Sequence, residues 1–274
     1  MPLPHALSQE AMPSTVAPRL FCFGLGFSAA VLASRLAAEG YRLAGTCRSE
    51  ARRETLRAAG IDAYLFDRGR PLDAAAALAG ATHLLSSVPP DEAGDPVLDQ
   101  HAADIAALGG LAWVGYLSTT GVYGDRQGGW VDEGAPLTPT TERGARRVGA
   151  ERQWLQLFDA HRLPVHLFRL AGIYGPGRSQ LDAVEAGTAQ RIDKPGQIFS
   201  RIHVDDIATV LAASIARPNP GAAYNVCDDE PAPPAEVVAF ACDLLGVPPP
   251  PLVPFAEARL SAMGRSFFAE SMRV

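Results

Sequence analysis

An α/β architecture, with a parallel sheet covered by helices on both faces, is predicted by three observations. Residues 20–40 run from an apolar strand through a glycine turn straight into an amphipathic helical stretch. Further apolar runs of strand length follow, alternating with helical patterns. The 274 residues are enough to bury one large core and leave a small appended lobe.

The opening turn reads Phe23-Gly24-Leu25-Gly26-Phe27-Ser28-Ala29. Gly24 permits the tight turn, Gly26 lets the backbone approach a pyrophosphate, and Ala29 stands where the G-x-G-x-x-G/A pattern takes a small residue for helix–strand packing. The helix that follows offers free N–H groups and a positive dipole end to phosphates. Glycine also closes strand-to-helix turns for steric reasons alone. Here the flanking strand and helix favour a dinucleotide cradle made by Gly24, Leu25, Gly26 and Phe27. A second strand is expected over 41–46 and a polar-faced helix over 49–59, then a third strand over 63–66. Residues 83–88 and 112–117 supply the fourth and fifth, separated by helical stretches around 72–78 and 99–108. Ligands of such sheets lie beyond the carboxyl ends of the strands, which puts Ser87 beside the cofactor.

A formal net charge of −6, with no basic stripe or aromatic platform, argues against a nucleic-acid partner. No apolar run approaches the about 20 residues that span a bilayer, and the first 18 residues lack the basic start and apolar core of a signal peptide. A cytoplasmic location follows as the expectation. Residues 1–18, rich in Pro, Ser and Ala, read as a disordered lead, with Met12 an alternative start. Cys22, Cys47, Cys227 and Cys242 have no C-x-x-C spacing and read as reduced thiols. The six histidines form no ligand cluster, so no metal site is expected.

Which dinucleotide binds is read at the end of the second strand. Sites selective for NAD usually carry Asp or Glu there, on the adenosine ribose hydroxyls. This chain has Thr46-Cys47-Arg48-Ser49, then Arg52 and Arg53. Arginine pairs bidentately with a 2′-phosphate and stacks on adenine, so NADP is expected, with NAD the alternative. Arg52 and Arg53 equally suit the solvated first turn of a helix. Asp67, after the third strand, either meets the adenine amino group or caps the turn at Asp67-Arg68-Gly69.

The second informative block is Ser118-Thr119-Thr120-Gly121-Val122-Tyr123-Gly124. Together with the glycine turn it resembles the extended short-chain dehydrogenase/reductase family, of the NAD(P)-dependent epimerase and dehydratase type. Arg169 to Tyr174-Gly175-Pro176-Gly177-Arg178, then Arg201-Ile202-His203-Val204-Asp205-Asp206 and Tyr224-Asn225-Val226, match later blocks of that family in order. The resemblance implies a Rossmann-type doubly wound sheet over 19–170 and a mixed substrate lobe over 171–274 with elements returning to the sheet. It further implies a small-molecule substrate such as a sugar or nucleotide-sugar, and leaves a homodimer open. By the same resemblance Thr119 is the hydroxyl that bonds a substrate oxygen at the redox carbon, although a strand-end Thr also caps its own backbone. Tyr123, Arg178 and His203 fall on the substrate side, where Tyr123 reads as packing under the site rather than as a base, and Arg178 and His203 are equally compatible with structural or solvent-facing roles. The chain stops earlier than family members commonly do, so the last residues are expected to be poorly anchored and Val274 to mark a truncation.

One departure from the family outweighs the matches. Those enzymes carry Tyr-x-x-x-Lys one helical turn apart, so that the lysine lowers the tyrosine pKa and holds the nicotinamide ribose. Anchoring on Val148-Gly149-Ala150-Glu151 puts Arg143 at the tyrosine position and Arg147 at the lysine position. Tyrosine is absent between Tyr123 and Tyr174, and the single lysine is Lys194. Arg147 can bond ribose hydroxyls, but an arginine with a pKa above about 12 does not shuttle protons at neutral pH. Two function classes therefore stand: an oxidoreductase with an atypical catalytic site built on Thr119, and a non-catalytic dinucleotide-binding regulator or scaffold.

Overall fold

The structure is a computed structural model that describes residues 17–274. The lead expected over 1–18 lies outside the described residues except for Ala17 and Pro18. In chain order the elements begin β1 (Arg19–Phe23), α1 (Phe27–Ala38), β2 (Arg42–Cys47), α2 (Glu50–Ala58), β3 (Asp62–Leu65) and α3 (Ala74–Ala77). They continue with β4 (His83–Ser86), α4 (Pro96–Ala106), β5 (Trp113–Thr119), a 3₁₀ turn (Thr120–Val122), α5 (Glu142–His161) and β6 (Val165–Leu170). Next come β7 (Gly172–Tyr174), α6 (Gln180–Glu185), β8 (Arg191–Asp193), β9 (Arg201–His203), α7 (Val204–Ala216) and β10 (Ala223–Val226). The last are α8 (Pro234–Leu244), β11 (Leu252–Pro254), a second 3₁₀ turn (Phe255–Glu257) and α9 (Ala262–Phe267).

Seven strands form one sheet in the order β10-β6-β5-β4-β1-β2-β3, every pair parallel. The chain leaves β3 and returns on the other side of β1 at β4, so the strand order reverses between β1 and β4. Because parallel strands are covered on both faces, their side chains divide between two cores. Leu20 and Cys22 pack with Leu32 and Leu36 of α1 and with Ile207 and Leu211 of α7. Phe21 and Phe23 pack with Val97 and Ile105 of α4 and Trp154 of α5. This is the doubly wound Rossmann-type sheet that the alternation of apolar runs predicts.

Local chemistry sets the boundaries. Helix α4 starts at Pro96, ahead of the expected 99, because the buried Asp95 carboxylate accepts from Val97 N (2.8 Å) and Leu98 N (3.3 Å) and proline suits the first helical position. Strand β5 runs on to Thr119, past the expected 117, because β6 continues to pair with it through Ser118↔Arg169 and Thr119↔Leu170. Beyond β6, the short pairs β7–β9 and β8–β11 are each parallel. Among the described residues no helix is long and apolar enough to cross a membrane.

The expectation of a poorly anchored C-terminal end is corrected. Ser271 N donates to Asp125 (2.9 Å), and Ser271 O accepts from Arg126 N and Gly128 N (3.0 and 2.9 Å). Arg273 exchanges two backbone bonds with the Gly129 and Val131 segment, and Val274 N donates to Ser200 Oγ (3.0 Å). Met272, 7% exposed, packs against Val122, Tyr123 and Val148. The reason is burial: an apolar side chain inserted under the β5 turn, with a paired backbone on each side, offsets the entropy of ordering the segment.

Candidate cofactor and substrate site

The glycine turn sits where the strand order reverses. Gly24 has φ +83°, and a Cβ there would stand 2.8 Å from Ser87 Oγ, so any side chain is both strained and obstructed. Neighbouring strand ends hold the turn from both sides. Gly24 N donates to Thr46 Oγ1 and Leu25 N to Thr46 O (2.8 Å each), while Ser87 Oγ donates to Gly24 O (2.5 Å). Gly26 caps α1 without a side-chain bond, and a Cβ on it would meet nothing within 4 Å. No side chain caps the first-turn N–H groups at the positive end of this 12-residue helix, and Gly26 leaves room beside them. This fits a pyrophosphate, and it brings Gly24, Leu25, Gly26, Phe27 and Ser87 together as the sequence predicts.

At the ends of β2 and β3, Arg48 is exposed just ahead of Ser49, the cap of α2. Its side chain makes no ion pair among the described residues. Arg70 spans this edge, donating to Arg48 O (3.1 Å) and to Asp67 Oδ2 (2.7 Å). Asp67 also accepts from Gly69 N at 3.0 Å, the turn-capping alternative read from the sequence. The Arg70 bond holds the Asp67 carboxyl below the usual carboxylate range. Arg53 is taken up by Glu50.

At the end of β5, Thr119 is half-buried and its Oγ1 accepts from Gly121 N (3.2 Å), closing the 3₁₀ turn. Arg143 and Arg147 stand four residues apart on α5, a spacing that places both on one helix face. Arg147 donates to Leu117 O and to Tyr116 Oη (3.3 Å), fixing its guanidinium at the carboxyl end of β5. Arg143 lies 4.8 Å over the Phe267 ring. Glu270 accepts from Thr140 Oγ1 at 2.8 Å, and a Cβ built on Gly121 would stand 3.5 Å from Glu270 Oε2 and 3.6 Å from Thr119 Oγ1. The C-terminal segment therefore forms part of this wall.

Beneath the wall runs a buried polar network. Glu151 and Arg169, 2% and 7% exposed in their side chains, pair at 2.9 Å with further contacts at 3.2 and 3.3 Å. Ser118 Oγ donates to Glu151 (2.5 Å), Arg169 to Tyr123 Oη (2.9 Å), and Tyr123 Oη to Asn225 Oδ1 (2.7 Å). Tyr123 is fully buried with its hydroxyl engaged twice, so it stands under the site, the packing position read for it from the sequence. Burial raises its pKa, against the opposing pull of Arg169. Burial likewise pushes up the Tyr116 phenol.

Arg178 is exposed and lies 5.7 Å over the Phe27 ring, so the loop after β7 reaches across to the glycine turn. His203 is half-buried, caps α7 by accepting from Asp205 N (3.2 Å), and meets the Tyr174 ring edge-on at 5.2 Å. Glu270 and Phe267 carried no sequence signal, since Glu270 meets Thr140 across 130 residues. The four cysteines are free. Among the described residues no group of three or more His, Cys, Asp or Glu could hold a metal ion.

No protein-family model matches the chain. It is 32% identical over 241 residues to protein YeeZ of Escherichia coli strain K12, covering 83% of this chain and 84% of that one. Among solved structures, a functionally unknown conserved protein from Silicibacter pomeroyi DSS has a TM-score of 0.86 at 53% identity, over 94% of this chain and 89% of the other. The dTDP-glucose 4,6-dehydratase of Bacillus anthracis str. Ames, in complex with NAD, has a TM-score of 0.71 at 16% identity, over 92% and 89%. The last of these likenesses speaks for the fold alone: a Rossmann-type sheet of the kind on which NAD-binding epimerases and dehydratases are built. On the identity and coverage of the first, the chain belongs to the family of Escherichia coli protein YeeZ.

Proposed function

We propose that the protein is an NAD(P)-binding, epimerase/dehydratase-like oxidoreductase of a small-molecule substrate, working without the tyrosine–lysine pair. The observation that carries this reading is the glycine turn, whose φ of +83° at Gly24 and uncapped helix end suit a close-lying anion at the point where the strand order reverses. The NAD complex of the structurally similar dehydratase supports the cofactor class. A bound nicotinamide dinucleotide supplies hydride transfer at a substrate carbon. The chain's own residues bind and orient. The amides after Gly24 take the pyrophosphate, Ser87 and Thr46 keep the turn rigid, and Arg147, fixed on Leu117 O, bonds the ribose hydroxyls. Thr119 donates its hydroxyl proton to the substrate oxygen while its Oγ1 still accepts from Gly121 N. A nucleotide-sugar is the substrate class drawn from the relatives' chemistry, and the free thiols suit a cytoplasmic setting.

Arg48, exposed and unpaired beside the capped start of α2, supports NADP over NAD. A 2′-phosphate paired to arginine contributes about 1.5–3 kcal/mol, or about tenfold to a hundredfold in affinity. Titration calorimetry with NADPH and NADH on the wild type and Arg48→Ala tests this. Equal affinities remove the NADP assignment, and no binding of either removes the reading as a whole. The second reading, a dinucleotide-binding regulator, draws on the inward turn of Thr119 and the raised phenols of Tyr116 and Tyr123, which leave no evident proton acceptor. Turnover on a panel of carbonyl and nucleotide-sugar compounds separates the two.

A further inference from the structure

Three arginines converge on the proposed substrate side. Arg143 and Arg147 share a face of α5, Arg147 is anchored at the end of β5, and Arg178 arrives over Phe27 from the loop after β7. The Arg143 and Arg178 guanidinium groups make no hydrogen bond or ion pair among the described residues; each instead lies over an exposed ring. Phe27 is 37% exposed and Phe267 45%, so the two cation-bearing rings face water at the mouth of the site. Glu270, bonded to Thr140, is the carboxylate that opposes the like charge on Arg143, and Asp95 faces Arg147 from below.

The arrangement is electrostatically costly. Desolvation by the surrounding protein, then the charge of Arg147 and lastly that of Arg178, lower the Arg143 pKa, while Glu270 opposes them. Arg143 is exposed to water, so an anion can reach its guanidinium. Like charges brought together in this way favour occupation by an anion, and a planar guanidinium matches a carboxylate or phosphate bidentately.

Resting on the proposed oxidoreductase reading, we infer that Arg143 and Arg178, backed by Arg147, form a subsite for an anionic oxygen group of the substrate, carboxylate or phosphate, at the place of the family's tyrosine. The substrate is then an acid whose charge is held beside the reacting carbon. Phe27 and Phe267 close over its apolar part. Arg143 thus has a binding role that needs no proton transfer, which accounts for an arginine where proton chemistry would demand a tyrosine.

The test is titration calorimetry of the full chain with malonate and, separately, with inorganic phosphate. Saturable binding of at least one is expected, and the tighter of the two names the group. Arg143→Gln and Arg178→Gln should each weaken it about tenfold to a hundredfold. Both side chains are exposed, and their thermal unfolding should match the wild type. Gly24→Ala, which damages the dinucleotide cradle, should leave the anion affinity within about twofold. NADPH should still bind Arg143→Gln, so failure of the cofactor reading shows as no NADPH binding to the wild type whatever the anions do. Absence of saturable anion binding, unchanged affinity in both arginine variants, or loss confined to Gly24→Ala overturns the inference.

Discussion

Replacing Glu151 by Gln isolates the charge in the network under the site. The amide has nearly the shape of the carboxylate and still accepts from Ser118, so packing is kept while the counter-charge of Arg169 is removed. Glu151 and Arg169 are 2% and 7% exposed in their side chains and meet at 2.9 Å, whereas the surface pair Arg35–Glu39, 44% and 53% exposed, meets at 3.7 Å. Breaking a buried pair by removing one partner costs about 3–5 kcal/mol, because the other charge is left desolvated. An exposed pair is worth about 0–1 kcal/mol. Glu151→Gln should therefore lower Tm by about 6–20 °C, and Arg35→Gln by no more than about 4 °C. Thermal unfolding followed by circular dichroism measures both shifts, and urea unfolding with the slope compared between variants gives the free-energy cost. A cost for Glu151→Gln no larger than that for Arg35→Gln would refute the view that this pair is a desolvated charge couple.

Other outcomes can be checked alongside. Thr119→Val should depress any turnover by about 10²-fold, as for loss of an oriented donor, with NADPH affinity unchanged by calorimetry; undiminished turnover would place the chemistry elsewhere. Met272→Ala, emptying a site 7% exposed, should cost about 2–5 kcal/mol in urea unfolding, and a cost near zero would mean that the C-terminal segment is not packed. Burial raises the Asp95 pKa in the folded state, so its contribution to stability is full below the ordinary aspartate value and is lost as pH rises through the raised one. Stability of Asp95→Asn relative to wild type, followed from about pH 4 to about pH 8, should accordingly improve with pH; the opposite slope would count against burial as the dominant cause.

The parts of the fold that depend on neighbouring residues were legible in the sequence. The glycine turn and the apolar runs of β1 to β5 are local patterns, and the structure places them within a few residues of expectation. Asp67 shows the limit of such reading: whether its carboxylate turns back to Gly69 N and Arg70 or outward is a matter of side-chain geometry. For Tyr123 a motif position carries no hydrogen-bond partners, and only the approach of Arg169 and Asn225, 46 and 102 residues away, uses up its hydroxyl. Residues 267–274 hold no periodic or charged signature that announces their role, since their partners are distant backbone groups around 125–131 and 196–200.

Those distant partners also order events during synthesis. The seven strands of the sheet are complete once β10 has ended at Val226, and every residue of the dinucleotide cradle lies before Val88. Phe267 and Glu270 can join the wall only after the chain has reached them and closed a loop of 130 residues back to Thr140. Closing so long a loop adds little free-energy cost beyond that of a shorter one, yet contacts of such separation form slowly. A chain extending from the N-terminus thus possesses its phosphate-binding turn well before it possesses a finished substrate mouth. On the proposed function, cofactor capture and substrate recognition become separable in time as well as in space, and a ribosome-bound chain stalled before residue 267 would be competent for the first and not for the second.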